Sequence, residues 1–130
     1  MDTEIIKASP EDLDAVLALL ADASLPKDGV AEHFQDFFVA RAGGRVIGSA
    51  GMERYGPSVL LRSLAVAPAH RGRGLGRTLA ERILREAREQ GVERVFLLTA
   101  TAAEFFPKFG FKRIAREEAD AEVKESVEFR

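Results

Sequence analysis

The stretch HRGRGLGRTL, residues 70–79, contains three glycines and three arginines and separates an apolar run from a helical pattern. The run SVLLRSLAVAP (58–68) predicts a central strand that ends at Pro68. The pattern LGRTLAERILREAREQG (75–91) predicts an amphipathic helix that stops at Gly91. A strand, a glycine-rich turn and a helix therefore follow one another, and this order decides the fold.

The glycine-rich turn predicts an anion site, above all for phosphate. The first amides of a helix have no intrahelical acceptor and carry part of the positive end of the helix dipole. Glycines leave those amides accessible, and arginines add full charges beside them. The Walker A loop does not fit, because no Lys-Ser/Thr follows the glycines, and Arg77 replaces the third glycine of the dinucleotide fingerprint. The pattern that fits is Arg71-x-x-Gly74-x-Gly76.

The residues before this stretch predict a strand, two helices and a hairpin. TEIIKAS (3–9) favours a strand, and SPEDLDAVLALLADA (9–23) a helix with Ser9 as its N-cap. VAEHFQDFF (30–38) predicts a short second helix, and FFVARAGGRVIGSAGMERYG (37–56) a hairpin that turns at two glycines.

The residues after it predict two more strands around a short helix. VERVFLLTA (92–100) favours a strand buried on both faces, TAAEFFPKFG (101–110) a helix, and FKRIAR (111–116) a sixth strand. This order indicates a mixed sheet with helices on its faces, which is an α/β (α+β) fold. We expect residues 1–130 to form one domain, and the charged tail after about residue 116 stays ambiguous.

Composition limits the classes of function. The chain has 130 residues, with 19 basic and 21 acidic side chains, so positive charge can act only locally and we expect neither nucleic acid nor membrane as a partner. It contains no cysteine, which excludes disulfides, thiolate metal sites and cysteine nucleophiles, and we predict no metal. Its first residues lack a signal-peptide pattern, and no apolar run approaches the ~20 residues of a membrane span. We predict a soluble cytoplasmic protein.

The loop pattern, the preceding LAVAP (64–68) and the later FFPKFGF (105–111) together resemble the GCN5-related N-acetyltransferases, the GNAT family. The resemblance extends from about Thr3 to Ile114. It implies a single GNAT-like domain with a mixed central sheet splayed between strands four and five. It also implies helices on both faces of that sheet and acetyl-CoA as the co-substrate.

The same resemblance implies a site and a reaction. The loop would wrap the pyrophosphate of acetyl-CoA, and the pantetheine arm would pair with the backbone of the fourth strand. The backbone N–H of Val66 would stabilise the oxyanion, and the amine would attack directly in a ternary complex. The residues implied to bind the coenzyme are Leu64, Ala65, Val66, Arg71, Gly72, Arg73, Gly74, Leu75, Gly76, Arg77 and Phe106.

The proton carriers depart from the family pattern. The fourth strand has no glutamate, and Phe106 stands where many members have the tyrosine that protonates the leaving thiolate. The catalytic candidates are Glu53 and Tyr55, which could instead be an ordinary surface pair at a strand end. His33 could accept the amine proton or bind the acceptor, because histidine changes charge near neutral pH, or it could simply pack. Water could supply the acid.

Arg62 is a charge in an otherwise apolar strand, which is unfavourable to bury unless it is paired. We place it, with Ser63 beside it, in the acceptor site, where it would bind a carboxylate or similar anion. The alternative is an internal salt bridge to Glu53 or Glu32.

Two longer stretches, LLRSLAVAPAHRGRGLGRTL (60–79) and VFLLTATAAEFF (95–106), suggest a subgroup. They resemble small acetyltransferases encoded with arsenic-resistance genes and short N-acetylglutamate synthases. Both imply a small anionic amino acid as the amine acceptor. Two other functions stay open: a sensor that binds acyl-CoA without turnover, and a protein or peptide N-acetyltransferase. A homodimer, whose partner could supply the family's seventh strand, also stays open.

Overall fold

The fold is known from a computed structural model, which describes residues 3–98, 106–112, 118–121 and 123–126. It contains a five-stranded sheet and two α-helices within those residues. The elements are β1 (Thr3–Lys7), α1 (Leu13–Asp22), β2 (Phe37–Ala42), β3 (Arg45–Tyr55), β4 (Ser58–Val66), α2 (Leu75–Glu89) and β5 (Arg94–Leu97).

The sheet is mixed, as the sequence predicted. The strands lie in the order β1-β2-β3-β4-β5, and the first four pair antiparallel. The β2–β3 hairpin turns at Gly43 and Gly44, in agreement with the prediction. β5 pairs parallel with β4, because α2 carries the chain back to the same end of the sheet.

The two helices cover opposite faces of the sheet. Val16 and Leu20 of α1 pack in one core cluster with Phe37, whereas Ile83 of α2 packs in another with Phe38. Consecutive residues of β2 thus enter different cores, which is the alternation expected of a strand buried on both faces. The prediction of helices on both faces is confirmed.

The predicted second helix at residues 30–38 is wrong. This segment contains turns and a short 3₁₀ turn, Phe34–Asp36, and the chain then enters β2 at Phe37. The phenylalanines of this segment are buried, but Phe37 and Phe38 face opposite sides of the sheet, which a helix could not arrange.

The C-terminal part of the chain also differs from the prediction. Residues Val95, Phe96 and Leu97 of β5 are half-buried rather than buried on both faces. The predicted helix at 101–110 and strand at 111–116 lie partly outside the described residues, which show only a 3₁₀ turn there, Phe106–Phe109.

Candidate active site

The sheet opens between β4 and β5. The two strands pair from Ser58 and Arg94 as far as Leu61 and Leu97, and the pairing ends there. β4 continues to Val66, and over this last part β3 is its only partner in the described part of the chain. The edge of residues 62–66 that faces away from β3 can therefore accept a ligand that pairs with backbone.

A β-bulge lies where this opening begins. Ala65 is paired with Ser49 and Arg62 with Gly51, so two residues of β4 oppose one of β3. Ser63 takes a φ of 60°, which is unusual for a residue other than glycine. The Ser49 hydroxyl donates to the Ser63 carbonyl oxygen over 2.7 Å, and Arg62 Nε donates to Ser63 Oγ over 3.0 Å. These bonds hold a strained backbone that redirects the residues following it.

The bulge leaves the backbone of Val66 directed at the opening. The Ala67 N–H donates to the Ile47 carbonyl of β3 over 2.8 Å. Because backbone groups alternate in direction along a strand, the N–H and C=O of Val66 point away from β3. The Val66 carbonyl accepts a bond from Arg71 Nε at 2.9 Å, which brings the loop after β4 to the same place.

The glycine-rich loop presents unpaired amides. Gly74 is the N-cap of α2 with a φ of 81°, and Gly72 has the same φ. A Cβ on either would have no atom within 4 Å, so glycine is required by the backbone conformation and the space above the loop is open. The amides of residues 72–77 donate to no acceptor that the described ranges contain, whereas Thr78 N–H bonds the Gly74 carbonyl at 3.1 Å.

The arginines of this loop complete an anion site. Arg71, Arg73 and Arg77 are exposed, and Arg77 Nε is 3.6 Å from the exposed carboxylate of Glu81. An exposed pair of this kind is weak and leaves the guanidinium available to a phosphate. Open space, unpaired amides and arginine side chains therefore fit the diphosphate of a coenzyme.

The second half of the site is a buried cluster around Glu53. The Glu53 carboxylate accepts bonds from Arg62 Nη1 at 2.6 Å, from Ser126 Oγ at 2.8 Å and from the Tyr55 hydroxyl. Burial raises the pKa of Glu53, but the bonds from Tyr55, Ser126 and Arg62 together outweigh burial and hold this pKa below its usual value. Glu53 is therefore an anion at neutral pH.

Arg62 is the cation of this cluster. Its guanidinium donates to Glu53, to Ser63 Oγ and, through Nη2, to the Pro26 carbonyl at 3.2 Å. The side chains of Arg62 and Glu53 are 0% and 1% exposed. Of the two roles that the sequence left open for Arg62, the structure contains the internal salt bridge to Glu53. Its guanidinium lies behind the surface that a substrate would meet.

His33 and Tyr55 form the outer edge of the cluster. His33 Nε2 is 3.8 Å from Glu53 Oε1, and the His33 side chain is 30% exposed. The rings of His33 and Tyr55 have centroids 6.3 Å apart. Burial, and then the bond to Glu53, raise the pKa of Tyr55 to about 12, so its hydroxyl keeps its proton at neutral pH.

The high pKa of Tyr55 gives a direct test of this arrangement. The chain has one tyrosine and no tryptophan, so phenolate absorbance reports Tyr55 alone. We expect its titration midpoint at about 12 in the folded protein and at about 10 in urea. The folded state holds this proton more tightly, so the stabilisation is present below about pH 10 and is lost as the pH rises through the folded-state pKa. A folded midpoint equal to the unfolded one would contradict the Tyr55–Glu53 bond.

The contact of Ser126 with Glu53 was not anticipated from the sequence. Ser126 lies in the charged tail, 73 residues from Glu53, and no local pattern marks it. Asp120, another residue of the tail, accepts hydrogen bonds from Ser58 Oγ and from Arg94 Nη1, the latter at 2.8 Å. Ala119 and Val123 are buried, so residues 118–121 and 123–126 pack against the sheet beside β4.

The predicted site residues thus fall into two groups and one exception. The coenzyme candidates from Leu64 to Arg77 surround the opening and the loop that follows it. The acceptor and proton candidates form the Glu53 cluster. Phe106 is buried against the α2 side of the sheet, with its ring centroid 5.8 Å from that of Phe111.

The described residues contain no group of three histidine or acidic side chains that could hold a metal ion. Neither helix in these ranges is both long and apolar enough to cross a bilayer.

The sheet is open between β4 and β5, and the anion-binding start of α2 lies beside this opening. These two features together define a class of domain that holds a coenzyme against one strand of its sheet. The chain belongs to the GNAT acetyltransferase family, because residues 33–113 match the family described as "Acetyltransferase (GNAT) domain". The family expected from the loop motif is therefore confirmed, together with its fold.

Relatives of known sequence agree with this membership. An uncharacterized N-acetyltransferase of Chlorobaculum tepidum is 40% identical over 91 residues, which cover 69% of this chain and 58% of that protein. An amino-acid acetyltransferase of Mycobacterium tuberculosis is 35% identical over 96 residues, which cover 71% of this chain and 55% of that protein. The chain thus spans little more than half the length of these relatives.

A solved structure shows the same fold. A Mycobacterium tuberculosis protein in complex with CoA and NLQ superposes with a TM-score of 0.81 at 29% identity. The superposition covers 94% of this chain and 79% of that one.

Proposed function

We propose that the chain is an N-acetyltransferase that moves the acetyl group of acetyl-CoA to the amine of a small molecule. The observation that carries this proposal is the outward-facing backbone of Val66, which lies at the sheet opening and touches the anion-binding loop through Arg71. One ligand that binds both features needs a diphosphate for the loop and, joined to it, an extended polar arm that can pair with strand backbone and ends in the acyl group. Acetyl-CoA is such a ligand, and amine attack needs no covalent enzyme intermediate.

In this proposal the two halves of the coenzyme site have separate roles. The amides and arginines of residues 71–77 hold the pyrophosphate through charge-assisted hydrogen bonds. Residues 64–66 pair with the pantetheine arm, and the Val66 N–H stabilises the negative charge that develops on the thioester oxygen. This N–H is already fixed in a strand and does not reorganise during the reaction. The absence of reorganisation is the main reason why such a donor stabilises the transition state.

We propose an amino acid, and an anionic one in particular, as the acceptor. The support is the Mycobacterium tuberculosis relative, which is an amino-acid acetyltransferase. Because Arg62 is already paired with Glu53, we assign it to ordering Ser63 and the Pro26 loop around the acceptor. To bind an acceptor carboxylate directly, the Arg62 guanidinium would have to bind that carboxylate and Glu53 at the same time.

Calorimetry followed by thiol release tests the proposal. The protein is titrated with acetyl-CoA, and free CoA is then measured with each common L-amino acid and with a phosphinic analogue of glutamate. We expect binding, and CoA release that depends on one class of amine. Comparing glutamate with glutamine, which has nearly the same shape but an uncharged amide, decides whether the acceptor is anionic.

Two other outcomes would contradict the proposal. Binding without release for any amino acid would favour a sensor of acyl-CoA, a function that Phe106 in place of the usual tyrosine also favours. Release that occurs only with peptides bearing a free amine would assign the domain to protein or peptide acetylation.

A further inference from the structure

His33 and Tyr55 are the titratable members of the Glu53 cluster that a bound molecule can reach. The side chain of His33 is 30% exposed, whereas those of Glu53 and Arg62 are almost completely buried. Nε2 faces the Glu53 carboxylate at 3.8 Å, so Nδ1, across the ring, is the nitrogen that faces away from the cluster.

The other ionisable groups of the cluster are poor proton acceptors. The Glu53 carboxylate already accepts bonds from Tyr55, Ser126 and Arg62, and none of its surface is open to an amine. The Tyr55 hydroxyl is itself a donor to Glu53. Arg62 has no proton to exchange at neutral pH.

The groups that face His33 come from several elements. β3 supplies Glu53 and Tyr55, and β4 supplies Arg62 behind Glu53. On its own segment the neighbouring ionisable residue is Glu32, which is exposed. Among the described tail residues, Ser126 donates its hydroxyl to the same carboxylate. Of these groups, the Glu53 carboxylate lies 3.8 Å from Nε2 of His33.

Contacts connect His33 to the site of acyl transfer. Glu53 binds Arg62, Arg62 binds Ser63 at the bulge, and the bulge directs the next three residues of β4 at the opening. An acceptor that lies against the outer edge of this cluster is thus beside the strand that would hold the thioester.

We propose that His33 accepts the proton of the acceptor ammonium and that Glu53 is the positioning residue behind it. This inference rests on the proposed function. The ammonium transfers one proton to Nδ1 of neutral His33. The amine then forms a C–N bond to the thioester carbonyl carbon, and the C–S bond breaks to release the CoA thiolate. The nitrogen loses its second proton, which converts the thiolate to the thiol, and His33 returns its proton to water.

A pair of histidine variants tests the base. We expect His33→Gln to lower kcat/KM by about 100-fold at neutral pH and to remove the acidic limb of its pH profile, with acetyl-CoA affinity unchanged by calorimetry. The matched control is His70→Gln, the chain's other histidine, which should retain that limb. The acceptor is the amino acid that gives the fastest CoA release.

A second variant tests the role of Glu53. In Glu53→Gln, kcat should fall while the KM for acetyl-CoA stays unchanged, because the imidazole of His33 loses the carboxylate that orients it. If this variant does not fold, Glu53→Gln/Arg62→Met removes the same charge without leaving a cation unpaired. The NMR signals of the His33 imidazole protons should change position in the variant without turnover, and the His70 signals should not.

The outcomes separate the two proposals. If no acceptor releases CoA from the unmodified protein, the proposed function fails and the role of His33 fails with it. If the unmodified protein turns over and His33→Gln keeps its acidic limb, only the role of His33 is overturned. Imidazole signals of His33 that stay unchanged when Glu53 is replaced would overturn the positioning role.

Discussion

Gly74→Glu is expected to weaken acetyl-CoA binding by at least about 100-fold, or about 2.7 kcal/mol, while the protein stays folded. Gly74 is the N-cap of α2, at the centre of the unpaired amides of residues 72–77. A carboxylate there would occupy the space of the pyrophosphate and repel its charge. It would also satisfy the helix amides itself, as an acidic N-cap does. Calorimetric titration with acetyl-CoA measures the loss.

Gly91→Glu is the matched control for this prediction. Gly91 lies beyond the other end of α2, is exposed, and has a φ of 78° against 81° for Gly74. Both variants therefore introduce the same side chain with the same backbone strain, of about 1 kcal/mol. Gly91→Glu should bind acetyl-CoA normally. Equal affinities of the two variants would overturn the assignment of the loop.

Arg62→Met is expected to destabilise the protein by about 3–5 kcal/mol. It removes the cation that lies 2.6 Å from a completely buried carboxylate, and so leaves an uncompensated charge in the interior. It also removes the donors to Ser63 Oγ and to the Pro26 carbonyl. The free energy of unfolding from urea titration measures the effect.

Two further variants test whether this loss of stability comes from the buried ion pair. Glu53→Gln/Arg62→Met removes both charges and should recover much of the stability, because a neutral pair carries a smaller desolvation penalty. Arg77→Met, in the exposed pair with Glu81, should change stability by no more than about 0.5 kcal/mol. An effect of Arg62→Met as small as that of Arg77→Met would show that the buried pair does not hold the site together.

The sequence by itself determined the half of the candidate site that we propose holds the coenzyme. The loop pattern, the strand before it and the helix after it are contiguous, so their geometry follows from local conformational preferences. Gly72 and Gly74 occupy positions of positive φ that glycine alone adopts readily, and the start of α2 follows within one residue. The β2–β3 hairpin was predictable for the same reason, because its turn lies in two adjacent glycines.

The half that we propose holds the acceptor was decided by the tertiary structure. The sequence offered Arg62 two partners and two roles, and only the pairing of β3 with β4 brings Glu53 within 2.6 Å of it. Residues 30–38 have helical spacing but do not form a helix, because β2 buries Phe37 and Phe38 on opposite faces of the sheet. Ser126 reaches Glu53 across 73 residues of chain. Polar groups so far apart in the sequence come together only when the whole domain folds. The free energy of their pairing depends on burial and distance, and a local sequence pattern determines neither of these.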